Sequence, residues 1–337
     1  MSLSLLTHDL NQRDAQHRVD VFFEPWGLGD AAIATAIARA TARFCIVACR
    51  SAWHPILSAA IDNYPRIRFI GTDLSYGVRR NPDLIPPPTR IMNLQLPTGS
   101  LPLRVLSIRG DIRDYYMARR CFGAAEIHMR GWIAYLARRS RLLDFPYRAG
   151  LLAVRNRYAF WAELAEIPFS QVENSYQDSS KAACSPRKFL IHLGGQWRSK
   201  QYPHVARLRK WLVDHGAEIT LVAANDDCLP KGVSESDVIR SHGGELIDRF
   251  RDTDVVVAND TGPMHIAALV GRPTVCIVHS SNFIEWKPPG VHFFSSSAMP
   301  RGYHPLTSFH SDSVSDKWPQ PEFIGASIMK IFGRTYS

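Results

Sequence analysis

The sequence predicts an α/β protein built from two doubly wound domains in tandem. Short runs rich in valine, isoleucine and phenylalanine alternate with helical stretches, which is typical of parallel sheets with crossover helices. The length, 337 residues, exceeds what one hydrophobic core usually supports. We therefore expect two tandem Rossmann-like domains whose parallel sheets face a central cleft, with ligands held where the carboxyl ends of the strands meet.

The first half contains four predicted strands, at residues 19–24, 44–48, 67–70 and 91–96. Helices are predicted at 30–43 and 55–63. The segment 82–103 is rich in proline and is predicted to be loop and edge strand, because proline cannot donate to a sheet ladder. An arginine-rich stretch, 112–165, is predicted to form helices joined by turns.

The second half repeats the same architecture after a polar segment, 169–188, that we interpret as a linker. Predicted strands lie at 189–193, 218–223, 255–258 and 274–278, and predicted helices at 204–215, 244–251, 263–270 and 321–332. The expected units are a basic domain over 1–175, a second domain over 182–318, and a terminal helix within 319–337.

Composition points to an ordinary globular chain expected in the cytoplasm. Hydrophobic residues make up 45% and charged residues 21%, and no apolar run reaches the length of a membrane span. The first residues lack a basic lead and a small-residue cleavage site, so we expect no secretory signal. The six cysteines include no CxxC pair, which predicts buried thiols and not a metal site.

The net charge of +9 is concentrated in one region. Between residues 104 and 157 there are twelve arginines against four acidic residues. This asymmetry favours an anionic partner, such as phosphorylated lipid, nucleic acid or a membrane surface. The alternative is a solvated arginine-rich surface.

The first chemical motif is Gly27-Leu28-Gly29-Asp30, which follows a predicted strand and opens a helix. The glycines permit a tight turn and close approach to a ligand. Asp30 could cap the helix or project into the crevice. Because Ala32 replaces the third glycine of GxGxxG, the motif is not a dinucleotide fingerprint.

The second motif, HLGGQWRSK over 192–200, again joins a strand to a helix. Its paired glycines expose backbone N–H groups, and its hydroxyl and cations could contact a diphosphate. It is not the ATP-binding loop GxxxxGK[ST], because no glycine precedes Lys200 and no Ser or Thr follows it. A solvated turn is the alternative.

The third motif, NDTGPMHIAA over 259–268, has the same strand, loop and helix order. Pro263 suits a first helical position, so Thr261 and Gly262 lie at a helix amino end that favours phosphate. A single DTG that leads into a helix does not fit an aspartic protease, which needs two such carboxylates. His265 could be a ligand to phosphate or a satisfied structural histidine.

Together these residues resemble glycosyltransferase family 9, the heptosyltransferase family. In that family a GD follows the first strand, a loop ending in Lys and an aromatic-Pro pair opens the second domain, and DTGxxHxAA precedes a proline-containing strand. The matching residues here are Gly29-Asp30, Lys200-Gln201-Tyr202-Pro203, and Asp260 to Ala268 followed by Gly271-Arg272-Pro273. The resemblance covers most of the chain.

The resemblance implies a GT-B type fold and an inverting transfer from a nucleotide sugar, most simply ADP-heptose, without metal or other cofactor. Asp30 would be the general base. The donor would contact eight residues: Gly29, Gly194, Ser199, Lys200, Asp260, Thr261, Gly262 and His265. The terminal helix would pack back toward the first domain.

The acceptor implied by the resemblance is an anionic glycan or glycolipid such as the lipopolysaccharide inner core. The arginines that could attract it at the cytoplasmic face of the inner membrane are Arg113, Arg119, Arg120, Arg138 and Arg139. Nucleic acid is not the expected partner, because the arginine-rich region lacks interleaved aromatic platforms.

Two features depart from the family pattern and keep other functions open. Gly27 and Leu28 stand where many members have polar residues, and the stretch 225–227 lacks the glutamate expected near the nucleoside. One alternative is therefore a transferase of the same fold with another nucleotide sugar and a non-lipopolysaccharide acceptor. The other is a catalytically inactive nucleotide- or glycan-binding relative.

Overall fold

The computed structural model describes residues 19–24, 27–41, 43–72, 103–106, 126–128, 156–177, 187–194, 200–278, 286–295 and 318–333. The first sheet is parallel, with strands in the order β3-β2-β1-β4-β5. Its strands are β1 Val19–Phe23, β2 Cys45–Cys49, β3 Ile67–Gly71, β4 Leu103–Leu106 and β5 Glu126–His128.

The second sheet is also parallel, in the order β11-β10-β9-β6-β7-β8. Its strands are β6 Lys188–His192, β7 Glu218–Ala223, β8 Val238–Arg240, β9 Val255–Asn259, β10 Thr274–Val278 and β11 His292–Ser295. In each sheet the chain first adds strands on one side of the unit's first strand, β1 or β6, and then adds the rest on the other side. This order confirms two doubly wound sheets. Ligands of such sheets bind at this switch point, outside the carboxyl ends of the strands.

The described helices run along both sheets and connect their strands. They are α1 Leu28–Ala40, α2 His54–Ala60, α3 Arg157–Leu164, α4 Phe169–Gln177, α5 Val205–Asp214, α6 Gly243–Arg251, α7 Gly262–Leu269 and α8 Pro321–Gly333. In the part of the chain that has been described, no helix combines the length and apolar character needed to span a bilayer.

Central strands are buried along their whole length, because helices cover both faces of each sheet. Every residue of β1, β2, β9 and β10 is buried, which explains why these runs are continuously apolar and not alternating. Two charged exceptions stand out at the ends of β1, where Asp20 is 2% exposed and Glu24 is fully buried.

The two units pack against each other through helices, α1 against α7 and α2 against α6. One apolar cluster therefore runs across both units. Polar contacts reinforce it: the Arg39 guanidinium donates to the backbone oxygen of Leu269 at 3.1 Å, and Arg251 donates to Ala59 O at 2.7 Å. Arg251 also pairs with the Asp62 carboxylate.

The last helix, α8, packs on α5 of the second unit, and its expected return toward the first unit stays a prediction. Its buried residues Ile324, Ile328 and Phe332 recur every four positions and join the core around α5. Gly325 lies so close to Trp211 of α5 that a Cβ there would be 2.2 Å from Cε3 of the indole. The buried apolar residues and the close approach at Gly325 hold α8 against α5.

Several predicted elements differ from the structure. The expected linker contains α4, because Val172 and Tyr176, four residues apart, are buried on one face. Residues 126–128 form β5 inside the stretch predicted to be helical, and β4, β8 and β11 were not predicted because each spans only three or four residues. The predicted strand at 91–96 lies outside the described residues.

Candidate active site

The amino ends of α1 and α7 meet where the two sheets point their carboxyl edges at each other. A Cβ on Gly29 would lie 3.1 Å from Cδ2 of His265 and 3.7 Å from Cα of Gly262. A Cβ on Gly262 would lie 3.1 Å from Cβ of Leu28. A Cβ at either position would be closer to its neighbour than ordinary van der Waals contact, so glycine at both positions favours the close approach of the two helix ends.

Asp30 lies in the first turn of α1 beside this contact. The helix begins at Leu28 with Gly27 as its N-cap, so Asp30, in the first turn, is not the N-cap residue. Asp30 is 6% exposed and lies close enough to His265 to raise the pKa of that imidazole. The structure thus places the expected base at the junction of the two units.

Lys200 and Asp260 form a buried ion pair at the switch point of the second sheet. The Lys200 ammonium donates to Asp260 Oδ2 at 3.1 Å and to the Asp260 backbone oxygen at 3.0 Å. The two side chains are 17% and 7% exposed.

Asn259, which sequence reasoning missed, holds the surrounding loops in place. Its side-chain oxygen accepts from the backbone N–H of Tyr202 at 3.1 Å, and its amide donates to the backbone oxygen of Leu193 at 3.3 Å. These bonds tie the end of β9 to both sides of the loop after β6. Its position directly before the DTG was the available signal.

Helix α7 begins at Gly262, directly after the DT pair that follows β9. Thr261 is the N-cap residue, but its hydroxyl makes no capping bond to the helix and donates instead to Asn259 O at 3.4 Å. The positive end of the helix dipole lies at this amino end. Pro263, the second residue of the helix, has no N–H that would need a partner there.

His265 is buried beside both carboxylates. Burial lowers its pKa to about 4, an effect opposed by the charges of Asp260 and Asp30 and aided by that of Lys200. Asp30, Lys200 and Asp260 therefore all lie within electrostatic reach of this ring. Tyr158, which sequence reasoning also missed, contacts the same ring through a 2.8 Å hydrogen bond between its hydroxyl and Nδ1 of His265.

Gly194, two residues after the end of β6, leaves space for the carboxylate of Asp227. A Cβ on Gly194 would lie 1.6 Å from Asp227 Oδ2, which accepts the backbone N–H of Ala224 at 2.8 Å. The Gly194 N–H itself donates to Nδ1 of His192 at 3.2 Å. Gly194 thus has a packing role and Asp227 is a further acid at this edge.

Two groups of expected site residues cannot be placed. Ser199 and the candidate acceptor arginines, Arg113, Arg119, Arg120, Arg138 and Arg139, lie outside the described residues. Among the described residues, no cluster of three or more His, Cys, Asp or Glu side chains is arranged to hold a metal ion.

Comparison with known proteins agrees with this geometry. Residues 139–302 match the model of glycosyltransferase family 9 (heptosyltransferase), a segment that includes Lys200, Asp260 and His265 but not Asp30. The lipopolysaccharide heptosyltransferase 2 of Escherichia coli (strain K12) is 26% identical over 155 residues, 41% of this chain. That alignment spans 44% of the E. coli protein, less than half its length.

Two solved structures share the fold over nearly the whole chain. One, titled E. coli ADP-heptose lps heptosyltransferase II, has a TM-score of 0.58 and 15% identity, covering 95% of this chain and 100% of that one. The other, E. coli heptosyltransferase WaaC with ADP, has a TM-score of 0.58 and 13% identity, covering 93% and 99%. The segment 139–302 is therefore similar to glycosyltransferase family 9, and the chain has the fold of these two heptosyltransferase structures.

Proposed function

We propose that this protein is an inverting glycosyltransferase that moves a sugar from a nucleoside-diphosphate donor to a hydroxyl of an anionic glycan or glycolipid. The observation that carries the proposal is the meeting of α1 and α7 at Gly29 and Gly262. It brings a carboxylate of the first unit, Asp30, to the anion-binding helix end of the second.

The donor fits the second unit. Its diphosphate would lie at the amino end of α7, where the helix dipole, the Lys200 ammonium and the imidazole of His265 favour negative charge. Asp260 would accept hydrogen bonds from sugar hydroxyls. ADP-heptose is the donor we propose, because one solved relative is named for it and another is titled with ADP.

Acceptor activation falls to Asp30. Its carboxylate would take the proton of the acceptor hydroxyl as that oxygen attacks the anomeric carbon. The bond from the anomeric carbon to the phosphate oxygen breaks on the opposite face, so the configuration inverts. The departing phosphate gains charge at the end of α7, where preformed dipoles stabilise it most.

We propose that this chemistry needs no metal ion, because Lys200 and the helix end can together meet the phosphate charge. Transfer rates with and without excess chelator test this point. Equal rates are expected, and a loss restored by one divalent ion would contradict it.

The acceptor we propose is the lipopolysaccharide inner core, met at the cytoplasmic face of the inner membrane. The support is the concentration of arginine over 104–157 and the name of the E. coli relative. The test is salt-dependent sedimentation with vesicles that carry anionic lipid, with neutral vesicles as the control.

Thermal unfolding with ADP, UDP, GDP and their sugar conjugates tests the donor. A ligand at 100 times its Kd stabilises the native state by about 2.7 kcal/mol and raises the midpoint. A shift with adenine nucleotides alone is expected. A shift with UDP or GDP alone would keep the fold and change the donor, and no shift with any would favour an inactive relative.

A matched pair of lysine variants shows where the nucleotide binds. Lys200→Ala should abolish most of the shift, because it removes the cation at the helix end. Lys210→Ala is the control, since Lys210 is 77% exposed on α5, where its ammonium pairs with the Asp214 carboxylate at 2.9 Å. Equal loss in both variants would indicate a general charge effect and contradict the site.

A further inference from the structure

Tyr158 connects the first unit to the histidine of the second. It lies on α3, and its hydroxyl is 2.8 Å from Nδ1 of His265 on α7. Tyr158 is fully buried and His265 is 4% exposed, so water does not compete for this bond. The rings are nearly parallel, 25° apart, with centroids 6.0 Å from each other.

The opposite edge of the same ring faces the site. A Cβ on Gly29 would lie 3.1 Å from Cδ2 of His265 and 3.5 Å from Nε2. Nδ1 of His265 is thus hydrogen-bonded to Tyr158. Nε2 lies near the first turn of α1, the turn that contains Asp30.

His265 carries a single ring proton at neutral pH. Burial is the main cause that lowers its pKa to about 4, well below physiological pH. A neutral imidazole has one N–H donor and one acceptor, and the partner of one nitrogen decides which is which.

Two observations assign that proton to Nε2. A phenol keeps its proton at neutral pH, so the Tyr158 hydroxyl, 2.8 Å from Nδ1, has a proton that it can donate to that nitrogen. The charges of Asp260 and Asp30 act on the ring from the site. An N–H that points toward carboxylates is stabilised, whereas a lone pair in the same direction is repelled.

We propose that Tyr158 is a positioning residue: its hydroxyl donates to Nδ1 of His265 and so fixes the Nε2–H tautomer. His265 then presents an N–H donor at the junction of α1 and α7. On the proposed function, which this inference deepens, that donor receives the departing phosphate. Tyr158 contacts no substrate and acts only through the histidine.

The tautomer can be measured without any ligand. Nitrogen NMR of the full chain with ¹⁵N-labelled histidine distinguishes protonated from unprotonated ring nitrogens, and His265→Gln identifies the signal among the 13 histidines. We expect a protonated Nε2 and an unprotonated Nδ1 at neutral pH. A wild-type spectrum with the proton on Nδ1, or on both nitrogens, would overturn the proposal.

The tyrosine variants test the cause. Tyr158→Phe should shift the His265 signals toward a mixture of tautomers and weaken ADP binding about three- to tenfold, the contribution of one net hydrogen bond. Tyr64→Phe is the matched control, since it removes a phenol hydroxyl from the turn between α2 and β3, in another part of the first unit. Thermal melts confirm that both variants fold. Unchanged His265 signals in Tyr158→Phe would contradict the proposal.

A double-mutant cycle separates this inference from the proposed function. Glutamine has a fixed side-chain N–H donor and no tautomers, so in a His265→Gln background Tyr158→Phe should no longer weaken ADP binding. A full effect in that background would refute the positioning role. If the wild type bound no nucleotide while the tautomer shifted in Tyr158→Phe, the proposed function would fail and the tautomer assignment would stand.

Discussion

Substituting Gly29 by alanine tests whether the two helix ends meet as closely as the structure places them. The added Cβ would lie 3.1 Å from Cδ2 of His265, closer than ordinary van der Waals contact. The imidazole cannot retreat easily, because Tyr158 holds its other edge by a 2.8 Å hydrogen bond. The methyl group must therefore separate the helices or displace the ring.

The two opposing effects can be compared. Alanine in place of glycine inside a helix gains about 0.5–1 kcal/mol from backbone entropy. Overpacking a well-filled contact costs about 1–3 kcal/mol. The contact term is larger, so we expect Gly29→Ala to lower the free energy of unfolding by about 1 kcal/mol and to weaken nucleotide binding through the displaced His265.

Gly244→Ala is the matched control. Gly244 is the second residue of α6, as Gly29 is of α1, and no atom lies within 4 Å of the Cβ position. Only the entropy term remains, so this variant should be stabilised by about 0.5–1 kcal/mol. Urea denaturation measures both. If Gly29→Ala were stabilised as much as Gly244→Ala and bound nucleotide normally, the close contact would be refuted.

Three further changes have defined outcomes. Lys200→Met leaves the 7% exposed Asp260 carboxylate without its cation and should cost about 2–4 kcal/mol in urea denaturation, and no loss would contradict a buried ion pair. Gly325→Ala places a Cβ 2.2 Å from the Trp211 ring and should lower the free energy of unfolding by about 1–3 kcal/mol. An unchanged free energy of unfolding would contradict the packing of α8 on α5. Burial lowers the pKa of His192 to about 4, so the unfolded chain takes up that proton first as pH falls. The free energy of unfolding should therefore fall by about 3 kcal/mol from this group as pH drops from 6.5 to 4, and this loss is absent above pH 6.5. In His192→Gln the free energy of unfolding should fall less steeply over the same range.

Much of the fold followed from local pattern. The strands at 218–223 and 274–278 occupy the bounds predicted for them, because central parallel strands are continuous apolar runs with sharp polar ends. The short edge strands β5, β8 and β11 did not follow, since three or four residues contain too little pattern to distinguish them from loop. Helix α4 was missed because its polar composition hid the spacing of Val172 and Tyr176.

The site was predictable where it lies directly after strands. Asp30, Lys200, Asp260 and His265 were all expected there, and the structure brings the first three within electrostatic reach of His265. Tyr158 could not be found this way. Its partner is 107 positions away, and the two come together because α3 and α7 both pack on α1.

Asn259 shows the complementary limit. It sits beside the expected Asp260, yet its role depends on two backbone groups that the loop after β6 supplies, Tyr202 N and Leu193 O. A sequence gives the identity of a side chain next to a motif. It does not show which distant backbone atoms that side chain will bond.

The measurement that tests the central claim most directly is the rate of sugar transfer from ADP-heptose by Asp30→Asn, with the donor Kd measured in parallel. Loss of the base should lower kcat by roughly 10²-fold or more and leave the donor Kd nearly unchanged, because Asp30 acts on the acceptor hydroxyl. Asp248→Asn is the control and should transfer at the wild-type rate, because the Asp248 side chain on α6 is 75% exposed. Transfer by Asp30→Asn at the wild-type rate would contradict the account.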